Sequence, residues 1–133
     1  MIVADTDVLI DYLRGFEPVA GRIALELAHS ALSTTAVTSF ELHSGAHSPR
    51  QRRAVETLLA AMTVVPLGPS EASRAALVHR VLSEKGQQIG MADSLIAGIC
   101  LERDAILLTR NRRHFERVEG LYLGRLGVGE GKG

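Results

Sequence analysis

Cysteine occurs once in this 133-residue sequence, at Cys100, and tryptophan not at all. A single thiol excludes an internal disulfide framework and a four-cysteine zinc site. Aromatic residues amount to two Tyr and three Phe, so the core must be aliphatic and ring platforms for base stacking are scarce. No apolar run approaches the roughly 18 residues that a membrane-spanning helix needs. The start of the chain also lacks the basic stretch and long apolar run of a secretory leader. These absences point to a soluble, cytoplasmic protein with no membrane partner. Net charge is zero and lysine is confined to Lys85 and Lys132, which excludes a chain that is basic all over. Arginine supplies nearly all the positive charge, in clusters at Arg50, Arg52 and Arg53 and at Arg110, Arg112, Arg113 and Arg117. Its planar fork suits phosphate. The first cluster reads as a solvated helix face, whereas the second follows a strand tip.

The composition that is present, 46% apolar and 23% charged, is that of one globular domain. The pattern is organised around the first stretch. The apolar run Ile2 to Ala4 ends in Asp5, and Val8, Leu9, Tyr12 and Leu13 then recur at helical spacing until Arg14-Gly15. Further helices are expected over Pro18 to His29 (Val19, Ile23, Leu25 and Leu27 inward), from Thr38 to Gly45, and from Pro49 to Met62. Two more run from Pro69 to Gly86 (through Ala76, Leu77, Val81 and Leu82) and on from Gly90 (Ala92, Leu95, Ile96 and Ile99 inward). Strands are expected at Ala31 to Thr34, Thr63 to Leu67, Ala105 to Thr109 and Leu121 to Leu123, with a short turn from Asn111 to Phe115. Strands alternating with helices predict a three-layer α/β/α domain with a mostly parallel central sheet, residues 1–126, followed by a flexible glycine-rich tail, 127–133.

Three carboxylates stand at or near helix starts: Asp5, Glu41 and Asp93. In an open parallel sheet ligands bind at the C-terminal strand edge, and the topology can gather all three there. Gathered carboxylates repel one another and attract a cation, and hard oxygen donors favour Mg²⁺ or Mn²⁺ over zinc. Each acid also has a purely structural reading. Asp5 can cap the first helix, Glu41 completes the capping-box pattern Thr38-x-x-Glu41, and Asp93 can complement a helix dipole. Asp7 reads as a solvated helix residue or an accessory ligand. His114 reads as a turn residue beside a core Phe115, and His43 and His47 as exposed helix positions.

The stretches Asp5-Thr6-Asp7-Val8-Leu9-Ile10-Asp11, Thr38-Ser39-Phe40-Glu41-Leu42, Gly90-Met91-Ala92-Asp93-Ser94-Leu95-Ile96-Ala97 and Leu108-Thr109-Arg110-Asn111-Arg112-Arg113-His114-Phe115 occur in that order. Together they resemble the successive motifs of PIN-domain ribonucleases, and in particular the VapC toxins of toxin–antitoxin pairs, over residues 2 to about 126. The resemblance implies a Mg²⁺- or Mn²⁺-dependent endoribonuclease that forms a homodimer and is blocked by a VapB-like antitoxin. By position Asp5, Glu41 and Asp93 match the family's acidic metal ligands, with Asp5 and Asp93 as direct holders of the ion. The family often carries a further Asp after the last motif's Thr. Asn111 is the nearest equivalent here, and it brings a carbonyl oxygen but no charge. Thr6 and Thr109 would hydrogen-bond the ligand carboxylates from behind. Arg110, Arg112 and Arg113 would contact RNA phosphates at the site mouth, and Arg14 an acid of the antitoxin.

Two other classes fit parts of the pattern. Asp5-Thr6-Asp7 imitates the aspartate pair of a haloacid-dehalogenase-type phosphatase, but no lysine follows a strand tip to neutralise a phosphoryl group. A noncatalytic RNA- or protein-binding module with the same fold is favoured by the neutral Asn111. The apolar content of the helices between Pro18 and Met62 predicts a dimer surface there.

Overall fold

A computed structural model describes residues 1–127. Its elements run in the order β1 (Ile2–Ala4), α1 (Thr6–Arg14), α2 (Val19–Ala28), β2 (Leu32–Thr35), α3 (Ala36–Gly45), α4 (Pro49–Ala60), β3 (Thr63–Val65), α5 (Pro69–Glu84), α6 (Met91–Glu102), β4 (Ile106–Leu108), α7 (Arg112–Phe115) and β5 (Tyr122–Leu123). The five strands form one sheet in the order β3-β2-β1-β4-β5, and every pairing is parallel. The expected tail lies, beyond Gly127, outside the described residues.

Each strand's side chains alternate between two faces, and the core divides accordingly. Val3 and Leu107 belong to one apolar cluster with Val78, Leu82, Ile96 and Cys100 of α5 and α6. Their chain neighbours Ala4 and Leu108 belong to the opposite cluster with Val8, Leu9, Ile23, Val55 and Leu58 of α1, α2 and α4. Helices therefore cover both faces, giving the three layers expected of a parallel sheet. In α6, Gly98 lets α5 come close. A Cβ there would stand 2.5 Å from the Ala75 nitrogen and 2.6 Å from its Cα. At the end of α1, Gly15 adopts φ 72°, the left-handed cap that a side chain would strain.

Several helix faces differ from the sequence expectation. In α5 the buried apolar positions are Ala75, Val78 and Leu82, while Ala76, Leu77 and Val81 face outward. In α2 Leu25 is exposed and Ala20 takes the inward place. In α6 the inward set is Ser94 with Ile96 to Cys100, and Ala92 and Leu95 are only partly covered. Leucine and valine are too common on outer faces for their identity to fix helix phase in a short window. The third helix begins at Ala36, two residues early. Its cap is Thr35, whose hydroxyl accepts from the Thr38 N–H at 3.1 Å. The Thr38–Glu41 capping box is therefore not formed, and Glu41 sits inside the helix with its carboxylate free for other partners.

The chain leaves β1 to build β2 and β3 on one side, and returns to build β4 and β5 on the other. The C-terminal ends of β1 and β4 thus flank the point where strand order reverses, the place where a crevice opens in such sheets. A helix that leads into a parallel strand runs back across the sheet, so α6 presents its first turn at this same edge.

Candidate active site at the sheet switch point

Four segments meet at that edge. Asp5 follows β1, and its backbone N–H continues the ladder by donating to the Leu108 carbonyl at 2.9 Å. Its carboxylate performs two tasks. One oxygen caps α1, accepting from the Thr6 N–H at 2.7 Å, and the other accepts from the Thr109 hydroxyl at 2.7 Å. Capping and site membership are therefore not alternatives, because one carboxylate has two oxygens.

The Thr6 hydroxyl donates to Glu41 Oε1 at 2.6 Å and lies 3.0 Å from the Thr38 hydroxyl. Thr6 thereby links the end of β1 to α3 across 35 residues of sequence. Thr109 does the same for β4. Its oxygen accepts from the Asn111 N–H at 3.0 Å and stands 3.5 Å from Asp7 Oδ2. The Asn111 amide nitrogen donates to Asp93 Oδ2 at 3.1 Å. A continuous chain of contacts thus joins Glu41, Thr6, Asp5, Thr109, Asn111 and Asp93.

The electrostatics are those of crowded acids. Burial, then the nearby Asp7 charge, pushes the Asp5 carboxyl from 3.8 up to about 7, with Asp93 adding to the rise and the Thr109 and Thr6 donors opposing it. Asp7 is also shifted upward, first by burial, against the Arg110 backbone N–H and guanidinium. Asp7 Oδ2 accepts from the Arg110 N–H at 3.1 Å, while Oδ1 is buried with no hydrogen-bond partner. Among the described residues no three His, Cys, Asp or Glu side chains already enclose an ion-sized point. The donor chemistry nonetheless suits a divalent cation. It consists of mutually repelling carboxylates, one of them with an orphaned buried oxygen, held by hydroxyls that keep their own oxygens turned to the acids.

The arginines separate. Arg110 Nε lies 2.6 Å from Asp11 Oδ2. Arg112 donates to the Gly124 carbonyl at 2.9 Å and stands 3.8 Å from Glu116. Arg113 is exposed at the rim. His43 and His47 do not join the cluster: His43 lies in the last turn of α3 and His47 beyond its end.

One residue that sequence reasoning set aside belongs to the cluster. His114 Nδ1 lies 3.1 Å from Asp93 Oδ2 and 2.9 Å from the Asn111 amide nitrogen. Phe115 is fully buried, as expected, and its anchoring turns the preceding residue toward the acids. The available signal was the one-turn helix itself: its cap Asn111 and His114 stand three residues apart, a spacing that brings two side chains to one side of a helical turn.

Known proteins resemble this chain over most of its length. The family model described as "PIN domain" matches residues 2–121. Ribonuclease VapC10 of Mycobacterium tuberculosis is 34% identical over 121 residues, which is 91% of this chain and 90% of that protein. The tRNA(fMet)-specific endonuclease VapC of Shigella flexneri is 28% identical over 88% of this chain and 91% of its own length. Among solved structures, DNA-bound VapBC from Salmonella typhimurium superposes with a TM-score of 0.83 at 26% identity, covering 92% of this chain and 96% of the matched chain. VapBC2 from Rickettsia felis, at 20% identity and a TM-score of 0.81 over 93% and 98% of the two chains, shares the fold. The chain belongs to the PIN-domain family, among the VapC ribonucleases.

Proposed function

We propose that this PIN-domain chain is a divalent-metal-dependent endoribonuclease acting as the toxin of a VapB–VapC-type pair. The observation that carries the reading is the chain of hydroxyl and amide contacts that brings Glu41, Asp5 and Asp93 to one sheet edge from three distant segments. Asp5 and Asp93 would hold Mg²⁺ or Mn²⁺, with Glu41 and Asn111 beside them. When bound, such an ion activates water and neutralises charge developing on the phosphoryl oxygens. The protein's own groups set the geometry. Thr109 and Thr6 fix the rotamers of Asp5 and Glu41, and Asn111 holds Asp93. Exposed Arg113 meets a backbone phosphate. Cleavage with departure of the 3′ oxygen leaves a 5′-phosphate end.

Partners follow from the same surface. A groove of about 500 Å³ opens between α1, α3 and α4, with Leu13, Leu42 and Val55 in its lining, Arg14 and Arg50 beside them, and Glu41 reaching it from the site. A VapB-like antitoxin segment with apolar and acidic side chains fits such a groove and would obstruct the acids. Leu25, 53% exposed on α2, and Phe40, 70% exposed on α3, lie within the stretch from Pro18 to Met62 and support a homodimer contact there. The described residues contain no helix long and apolar enough to cross a membrane.

The test is cleavage. The purified chain, freed of any partner, is incubated with structured RNA and Mg²⁺ or Mn²⁺. Cleavage is expected, with loss in Asp5→Ala and Asp93→Ala. Activity that survives either substitution overturns the assignment.

A further inference from the structure

The groove between α1, α3 and α4 is continuous with the site, because Glu41 belongs to its lining while accepting the Thr6 hydroxyl at 2.6 Å. From Glu41 the wall continues along α3 through Gly45 and Ala46 to Arg50 at the start of α4. Gly45 leaves that wall open, with nothing within 4 Å of where a Cβ would stand.

Two arginines line this groove. Arg14 lies in the last turn of α1. Arg50 follows the Ser48 cap of α4, in a first turn that holds no acid, so the positive end of the helix dipole adds to its charge. Both are exposed, and among the described residues neither has a carboxylate partner. The arginines after β4 differ. Arg110 is docked on Asp11, and Arg112 on the Gly124 carbonyl and beside Glu116. Positive charge available to a polyanion near the acids therefore lies at Arg113 and in the groove. Sequence alone reads Arg50 as one of a solvated set with Arg52 and Arg53. The fold separates it from them, since those two are exposed on α4 outside the lining.

We propose that this groove is the path of the RNA strand on one side of the scissile phosphodiester, with Arg14 and Arg50 each holding a backbone phosphate. The inference rests on the nuclease reading above and gives its substrate a direction, from the acids along α3 to the start of α4. A guanidinium fork matches phosphate oxygens. The apolar floor of Leu13, Leu42 and Val55 suits the ribose and the flat face of an unstacked base, and about 500 Å³ is room for a nucleotide-sized group. A strand with splayed bases is the form of RNA that such clefts accept. An antitoxin segment in the same groove competes for the same two cations, so inhibition and substrate exclusion become one event.

The experiment measures binding without cleavage. A fluorescein-labelled single-stranded oligouridylate is titrated with the chain in EDTA across a salt series, and anisotropy gives the affinity. Arg14→Ala and Arg50→Ala are each expected to reduce the slope of log affinity against log salt by about 0.7, the share of one phosphate contact on a single strand, and the double variant by about twice that. Arg14→Lys and Arg50→Lys should keep the slope, because charge sets it. Arg53→Ala on α4 and Arg80→Ala on α5, both exposed and outside the lining, should leave it nearly unchanged. In the ¹⁵N-labelled native chain the same RNA should shift the amides of Gly45, Ala46 and Gln51, a readout that needs no substitution. Slopes that ignore both arginines, equal losses in Arg53→Ala and Arg80→Ala, or no shift along this wall overturn the groove assignment. The two readings fail separately. RNA cleaved by a chain whose salt slope ignores Arg14 and Arg50 overturns the groove alone. RNA bound along the groove but left intact with Mg²⁺ or Mn²⁺ overturns the nuclease alone.

Discussion

The guanidinium of Arg110 is docked on the carboxylate of Asp11, Nε to Oδ2 2.6 Å, one residue after the strand-end hydroxyl that holds Asp5. The Arg110 side chain is 53% exposed and that of Asp11 only 9%. The pair therefore ties the β4–α7 loop to the inner part of α1, while the Arg110 N–H holds Asp7. From sequence this arginine looks like a phosphate contact; the fold gives it a carboxylate first.

Arg110→Ala is expected to destabilise the fold by about 1–3 kcal/mol, because it strands a nearly buried carboxylate. It should leave the salt dependence of RNA binding nearly unchanged. Arg113→Ala should do the reverse, leaving stability alone and lowering the salt slope by about one phosphate contact. Urea unfolding and RNA binding across a salt series separate the two. A salt slope that falls in Arg110→Ala would return that residue to the RNA.

Thr109→Val keeps the shape of a buried side chain and removes the hydroxyl that donates to Asp5 and accepts from Asn111. Divalent-ion affinity is expected to drop about 10–100-fold, as for other partners that orient metal ligands. Circular dichroism should show the fold retained. Unchanged affinity in calorimetry would mean that Asp5 needs no such support.

The raised Asp5 carboxyl makes stability fall with pH in the metal-free chain. Its folded value, about 7, lies above its ordinary 3.8, so the folded state binds more protons than the unfolded state between those limits. Stability is then lost progressively as pH rises from about 4 to 7, and stays lost above. Metal-free urea midpoints should be higher at pH 5 than at pH 8, with Asp5→Asn flattening the difference and divalent ions reducing it. Equal slopes in the native and Asp5→Asn proteins would contradict the shift.

Gly98→Ala should destabilise by about 1–3 kcal/mol, since the new methyl enters space held by the Ala75 backbone and overpacking there displaces a whole helix. The readout is the urea midpoint, and a neutral result would show that α5 yields freely.

Much of this molecule is legible locally. The strand that ends in Asp5, the helix stop at Arg14-Gly15 and the alternation of strands with helices all follow from short-range patterning. Helix phase is less legible, as Leu77 and Val81 show by facing outward while Ala75 and Val78 pack inward. Which side of a helix meets the sheet depends on its neighbours, and a small residue beside Gly98 can serve better than a large one.

The sequence by itself determined the layered parallel fold, Asp5 and Asp93 at their helix starts and the motif order that marks the family, because each is written in a few consecutive residues. Only the tertiary structure decided the partners. Glu41 bonds to Thr6 rather than capping its own helix, Arg110 takes Asp11, and His114 stands beside Asp93. Those contacts cross between segments far apart in the chain. Which groups meet there is fixed by strand order and by the angle at which each helix leaves the sheet, and neither is encoded at the residues that touch.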